Sequence, residues 1–183
     1  MNIFPSTPVP ADAGEPLNAF SQCHAGILAQ LQGLAELPAL MAAAARARSV
    51  AEDSLVIFKH AVFEHHAEEE SELFPAVLRS AQRGEEQLRV QGLVDRLTAE
   101  HRTLEALWKR IEPAVNAGAR GKSVDIDNAV VEELVRAYTA HARFEEEQFL
   151  PLCATILGRN GDHMAALGLS LHMRHVPQPV GYI

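Results

Sequence analysis

The sequence predicts an all-α fold, an up-down-up-down antiparallel four-helix bundle followed by a short fifth helix. Apolar residues make up 48% of the 183 positions, with alanine and leucine prominent, and runs of β-branched residues are scarce. In four long stretches the apolar residues recur with the spacing of one helix face. The connections between these stretches are short and contain glycine or proline, which favours antiparallel neighbours.

The predicted helices follow one another along the chain. A proline-containing arm at residues 1–13 leads into the first helix, and Pro38 suggests a break after it. Asp125 or Asp127 is a suitable cap for the fourth helix, which ends at the turn of residues 158–162. The first three long helices are expected at about residues 15–34, 50–81 and 85–116, and the short fifth helix at about 163–173.

We expect one domain over residues 1–183, with the bundle at about 14–158 and a short helix and tail at 159–183. The formal charge of −8 and the pI near 5.6 argue against nucleic acid as a partner. Cys23 and Cys153 are too few for a disulfide framework, which favours a reducing compartment. Since neither a secretory signal nor an uncharged span is evident, we expect a cytoplasmic protein that does not contact a membrane. A homodimer stays open.

A repeated motif is the most informative feature of the chain. His65 and Glu69 stand four residues apart, and so do His141 and Glu145, so each pair lies on one helix face. Eight residues after each histidine begins an apolar pair followed by proline. These triplets are Leu73-Phe74-Pro75 and Phe149-Leu150-Pro151.

One further histidine precedes each pair. His24 lies 41 residues before His65, and His101 lies 40 residues before His141. These matched intervals indicate two copies of a helical hairpin related by a pseudo-twofold axis. In such a bundle, inward side chains from all four helices can meet at one level.

Six polar groups on apolar inner faces would destabilise the bundle unless something binds them. Imidazole nitrogen with carboxylate oxygen suits iron, manganese, zinc or copper better than calcium or magnesium. Because six ligands exceed what one zinc takes from a protein, two metals bridged by the carboxylates are more natural. Open coordination positions would remain for dioxygen, water, peroxide or nitric oxide.

These residues resemble the haemerythrin-like family, also called the HHE cation-binding domain, over about residues 14–158. The resemblance implies a four-helix bundle that holds a non-haem, carboxylate-bridged centre of two iron ions, with manganese or zinc as substitutes. It implies terminal histidine ligands and bridging glutamates. The histidines are His24, His65, His101 and His141, and the glutamates are Glu69 and Glu145.

The chain departs from the oxygen-carrying members of that family. They have a second histidine four residues after the third-helix histidine, where this chain has Glu105, and a closing aspartate where it has Glu146. Glu105 could be an extra ligand. The departure weakens reversible oxygen carriage and favours binding or sensing of dioxygen, peroxide or nitric oxide, or iron handling. An oxidoreductase acting on peroxide or nitric oxide is the alternative, and a metal-free helical interaction module is a weaker third; no catalytic residue is assigned.

Several other polar and aromatic residues receive plainer interpretations. His66 also has a glutamate four residues on, but Lys59 is among its helical-wheel neighbours, so we expect it in an outer role or as a support behind the ligands. His60 is expected at the surface. Tyr138 and Trp108 are expected in the core, although the Tyr138 hydroxyl could bind an oxygen species. A solvated acidic face is expected for Glu68, Glu70, Glu72, Glu146 and Glu147, and surface or packing roles for His163, His172 and His175.

Overall fold

The computed structural model describes the backbone of residues 14–159 and the side chains of residues 22–159. All regular secondary structure in this part of the chain is helical, which confirms the all-α prediction. The α-helices are α1 (Gly14–Val56), α2 (Phe63–Glu68), α3 (Phe74–Ser80), α4 (Glu85–Ala119), α5 (Asn128–Phe144) and α6 (Leu150–Leu157). Three π-helices join them, π1 (Ile57–Val62), π2 (Glu69–Leu73) and π3 (Glu145–Phe149).

The predicted break at Pro38 is wrong, because α1 continues through that proline. A proline inside a helix removes one backbone hydrogen bond, and the alanine-rich stretch that follows it has the highest helix propensity. The described residues therefore form three long helical segments, α1 through α3, α4, and α5 through α6. They do not confirm the four-helix topology, and the predicted fifth helix and the arm at residues 1–13 lie outside them.

The chain divides into two compact units, Met1–Arg46 and Ala47–Ile183. In the N-terminal unit the described secondary structure is α1, and it carries many exposed large apolar side chains. These are Ile27, Leu28, Leu31, Leu34, Leu37, Leu40 and Met41. The helical stretch Gln22–Ser80 contains a window with mean hydropathy 1.3, which by length and composition alone meets the requirement for a membrane span.

The C-terminal unit has two apolar clusters along its helices. The first cluster is centred on Phe74 and Phe149, whose rings meet edge to face with centroids 5.2 Å apart. The second is centred on Leu104 and Trp108, and the Trp108 ring stacks on Phe58 at 3.8 Å. Burial of these side chains is the main stabilising contribution to the unit. Both clusters draw on all three helical segments of the unit.

Local contacts determine where α4 and α5 begin and tie α4 to the end of α6. Gly84 precedes α4 with φ of 103°, a conformation that residues with a Cβ rarely adopt. The Asp127 carboxylate accepts hydrogen bonds from the backbone N–H groups of Ala129 and Val130 and so caps α5. Arg159 donates two hydrogen bonds to Glu86, at 2.6 and 2.8 Å, which joins the end of α6 to the start of α4.

Two of the π-helices occupy equivalent places in the repeated sequence motif. π2 begins at Glu69 and π3 at Glu145, and in each case the backbone carbonyl of that glutamate accepts the N–H of the fifth residue on. Pro75 and Pro151 follow directly, in the first turns of α3 and α6. A proline cannot donate to the residue four before it, and the wider turn accommodates this loss. The sequence repeat is therefore also a repeat of local structure.

Candidate metal centre

Among the described residues of the C-terminal unit, five polar side chains are buried, at the level between the two apolar clusters. On α4, His101 lies between Leu97 of the first cluster and Leu104 of the second. The five side chains are those of His66, Glu69, His101, His141 and Glu145, and none exposes more than 7% of its surface. Each helical segment of the unit contributes at least one of them. The two apolar clusters thus enclose a polar layer that needs partners.

Two groups of three side chains, which share no member, have their ligand atoms close together. We name them the imidazole triad and the cavity triad. The imidazole triad is His66, His101 and His141, and the cavity triad is His65, Glu69 and Glu145. Within each triad, all three ligand atoms lie within 4.8 Å of one another. Each triad therefore offers the ligands for one ion.

Glu69 connects the two triads. Its Oε1 lies 3.3 Å from Nε2 of His65, and its Oε2 lies 3.3 Å from Nε2 of His101. One carboxylate therefore presents one oxygen to each triad. A carboxylate placed in this way could bridge two ions if one were bound at each triad.

The rings of the imidazole triad pack directly against one another. The His66 ring stacks on His101 with centroids 3.9 Å apart and an angle of 5° between the planes. The His141 ring is turned across both, 5.0 Å from His101 and 5.6 Å from His66. Such contact between imidazoles disfavours protonation. The pKa of His66 falls from 6.5 to about 3, because burial and then the neighbouring His101 and His141 oppose its charge.

Carboxylates from other helical segments orient two of these rings. Nδ1 of His101 donates to Glu70 at 2.8 Å, and Glu70 also accepts a hydrogen bond from Arg102. Nδ1 of His141 is 3.1 Å from Glu100 and donates to it in the same way. With Nδ1 occupied, Nε2 is the atom that each ring presents to an ion, an arrangement usual for ligating histidines.

Several buried atoms of this layer have no hydrogen-bond partner. They are Nδ1 and Nε2 of His66, Oε2 of Glu69, Nε2 of His101 and Oε1 of Glu145. An unsatisfied buried polar atom costs roughly 1–3 kcal/mol, and folded proteins contain few of them. Four of them can donate an electron pair to a metal ion at once, because one nitrogen of the neutral His66 ring carries a proton, and all five belong to residues of the two triads. The residues present therefore fit a metal centre.

The two buried glutamates hold one proton between them when no ion is bound. Burial is the largest influence on Glu69 and by itself raises its pKa, but the nearby His101 ring and Glu145 carboxyl group outweigh it and lower that pKa to about 2. Burial, then the closeness and the charge of Glu69, raise the pKa of Glu145 to about 9. The pKa values of two neighbouring carboxyl groups move apart in this way because both groups cannot ionise without a cation between them. An ion would displace that proton.

A cavity of about 250 Å³ opens beside the cavity triad. Its lining includes His65, Glu69, Glu145 and Tyr138, together with His141 of the imidazole triad, the acidic residues Glu68 and Glu146, and the apolar residues Leu73, Ala142 and Leu150. The pKa of Tyr138 is raised by burial and by both glutamates, so its hydroxyl stays protonated. The cavity has room for a small molecule next to the carboxylates, with a neutral O–H donor at its wall.

The structure brings five of the six predicted ligands together, and these are His65, Glu69, His101, His141 and Glu145. The sixth, His24, lies on α1 in the N-terminal unit, where its side chain is exposed. Nothing in the structure tests whether any of the six binds metal, so their role as ligands stays a prediction. Glu105, the suggested extra ligand, pairs with Arg102 at 3.1 Å.

Two expectations for polar residues near the site are wrong. The outer role expected for His66 is wrong, because this side chain is only 1% exposed and lies within the imidazole triad. Glu70 is not a solvated acidic residue but the hydrogen-bond partner of His101. The sequence contained one signal for both residues, which is the glutamate four residues after His66. This spacing does not show, however, which way either side chain points. The expected surface position of His60 and core position of Trp108 are confirmed, and His163, His172 and His175 lie outside the described residues.

Comparison with known proteins identifies a family for this chain. The family model described as the hemerythrin HHE cation-binding domain matches residues 15–153. An uncharacterized protein of Haemophilus influenzae is 26% identical over 159 residues, which is 83% of this chain and 89% of that protein. No solved structure matched. Because the family model covers most of the chain, the protein belongs to the hemerythrin family of HHE cation-binding domains.

Proposed function

We propose that this protein is a haemerythrin-like non-haem di-iron protein that binds or senses dioxygen or a related small molecule, or handles iron. The observation that carries the proposal is the set of unpaired nitrogen and oxygen atoms in the buried polar layer. A metal-free helical interaction module would have no use for them. Bound cations would accept the lone pairs of these atoms and so remove the free-energy cost of burying them without partners.

Two ions are proposed rather than one, because there are two triads and Glu69 presents one oxygen to each. The mixture of imidazole and carboxylate suits iron, with manganese or zinc as substitutes. When bound, such ions supply open coordination positions for a small oxygen or nitrogen species. The chain itself supplies the ligands, the oriented imidazoles and a largely dry layer.

His24 and the four-helix arrangement remain part of the proposal on the strength of the sequence spacing. The sequence interval from His24 to His65 matches the interval from His101 to His141 within one residue. Under this proposal, His24→Ala lowers iron content or metal affinity. Unchanged iron binding in that variant would remove His24 from the ligand set and leave the two triads.

The cavity supports a small molecule as the partner. A volume of about 250 Å³ accepts dioxygen, peroxide or nitric oxide with water, and is too small for most larger ligands. The Tyr138 hydroxyl can donate a hydrogen bond to such a guest. The net charge of −8 supports partners other than nucleic acid. A cytoplasmic location is proposed because the sequence has few cysteines and no evident secretory signal.

An oxidoreductase acting on peroxide or nitric oxide is the second candidate. The observation that favours it is Tyr138, whose neutral hydroxyl at the cavity wall is a proton donor for a reacting guest. Sustained consumption of peroxide or nitric oxide that is lost in His141→Ala would support this candidate. A reversible, iron-dependent spectral change on oxygen cycling, without turnover, would support binding.

Metal analysis of the purified protein tests the proposal directly. We expect two iron ions per chain in wild type and fewer than one in Glu69→Ala, because Glu69 serves both triads. His60→Ala is the matched control, since His60 is exposed and pairs only with Glu64 in the described hydrogen bonds. Wild-type protein that takes up no iron, manganese or zinc while folded would refute the proposal.

A further inference from the structure

We propose that His66 is a metal ligand, and that with His101 and His141 it forms an all-imidazole position whose ion is retained while the ion of the cavity triad exchanges. This inference rests on the proposed function, since it assigns ligands within the same centre. Its content is separate, however. It adds a histidine that the repeated motif does not include, and it makes the two positions unequal.

The surroundings of His66 support a ligand role. The side chain is 1% exposed, and neither ring nitrogen has a hydrogen-bond partner. A neutral imidazole always carries one N–H donor and one acceptor, so burying both without partners is costly. A metal ion satisfies the acceptor nitrogen and so offsets much of that cost.

No side chain near His66 offers an adequate alternative. The nearest carboxylate oxygen, Oε1 of Glu105, is 3.8 Å from Nδ1, beyond hydrogen-bond length, and is held by Arg102. The other neighbours described are the rings of His65, His101, His141 and Tyr138. Two of these rings already donate Nδ1–H to carboxylates and turn Nε2 inward. The three imidazoles thus face one another, and no carboxylate oxygen lies within hydrogen-bond distance of either His66 nitrogen.

Such a group takes a borderline cation. Three histidines are the protein ligands of known catalytic zinc sites, and imidazole suits divalent zinc, iron, cobalt and copper. Calcium and magnesium, which require oxygen ligands, do not fit. The imidazole triad therefore holds a first-row divalent cation by nitrogen, with Glu69 Oε2 beside it.

The two triads differ in their access to solvent. The histidines of the imidazole triad are 0–3% exposed, whereas the His65 side chain of the cavity triad is 39% exposed. All three residues of the cavity triad line the cavity, whereas His141 alone of the imidazole triad does, so an ion or a chelator has the more direct route to the cavity triad. Exchange at the cavity triad is consequently faster, and the ion of the imidazole triad stays behind.

The experiment is a titration of the metal-free full-length protein with Co²⁺ without oxygen, followed by challenge with excess EDTA. Wild type is expected to bind two Co²⁺, one lost quickly and one at least tenfold more slowly. His66→Leu, which replaces the unpaired imidazole with an apolar side chain, is expected to bind one Co²⁺ that is lost quickly. His65→Ala is the reciprocal variant and should keep the slow ion, and His60→Ala should behave as wild type.

The outcomes separate the two proposals. Wild type that binds no Co²⁺ overturns the proposed metal centre, and this inference with it. Wild type that binds two ions, together with a His66→Leu variant that also binds two and keeps the slow one, overturns only the role of His66. Metal-free His66→Leu should unfold at the same or a higher temperature than wild type. Should it fail to fold, His66→Gln takes its place under the same criteria.

Discussion

Replacement of Glu70 by alanine tests how the chain orients its metal-binding histidines. Glu70 accepts the hydrogen bond from Nδ1 of buried His101 at 2.8 Å and a second one from Arg102. In Glu70→Ala the His101 ring loses the contact that holds Nε2 toward Glu69. We expect weaker metal binding from a residue that does not itself touch the ion.

The size of the effect follows from the contact that is lost. Removal of a carboxylate that orients a ligating histidine typically weakens metal binding about 10- to 100-fold. This corresponds to about 1.4–2.7 kcal/mol of binding free energy. The lower part of that range applies if a water replaces the carboxylate, since His101 itself is fully buried but Glu70 is 24% exposed.

Competition with a chromophoric chelator for Zn²⁺ measures the effect. Glu70→Gln is the matched variant, because its amide oxygen can still accept from Nδ1 and should restore most of the affinity. Glu64→Ala, at an exposed position on the same helical segment, should leave it unchanged. Folded Glu70→Ala with wild-type affinity would show that packing alone orients His101 and would refute the reasoning.

Two further predictions concern stability. The pKa of Glu145 is raised from 4.5 to about 9. The metal-free folded protein therefore keeps a proton that the unfolded chain releases above pH 4.5. Because of this difference, the contribution of Glu145 to stability falls as pH rises toward 9. In urea unfolding of the metal-free protein, the free energy of unfolding should therefore fall by up to about 3 kcal/mol between pH 6.5 and 9. Much of this fall should be absent in Glu145→Gln. His101, whose pKa is also raised, lowers the stability over the same direction of pH change. Phe149→Ala should cost about 3–5 kcal/mol, because this fully buried ring packs against Phe74 in the first apolar cluster. Leu88→Ala, at a position 75% exposed, should change stability by less than about 0.5 kcal/mol, and equal urea midpoints for these two variants would contradict the assigned core.

The sequence by itself determined the helical class and most of the polar residues that meet at the candidate site. Helix-period apolar stretches and the repeat of His65–Glu69 in His141–Glu145 are local features, which a reader of the sequence can recognise without knowing how helices pack. The same repeat marked Pro75 and Pro151, although not the π-helices that precede them. The break expected at Pro38 did not occur, since strong helix formers around a proline can continue the helix.

Only the tertiary structure decided the place of His66. A helical wheel assumes 100° per residue, and π1, which directly precedes α2, has wider turns that change which residues share a face. The interpretation of His66 as an outer residue used Lys59, which lies inside π1. A wheel drawn through that segment therefore assigns the wrong face.

The partners of the histidines also depended on the tertiary structure. Glu70 meets His101 across 31 residues of sequence, and Glu100 meets His141 across 41. In a chain with many glutamates, no local pattern indicates which carboxylate reaches which ring, because that depends on how two helices pack and rotate against each other. Local periodicity supplied the chemistry of the ligands, and helix packing decided which atoms of those ligands point at one another.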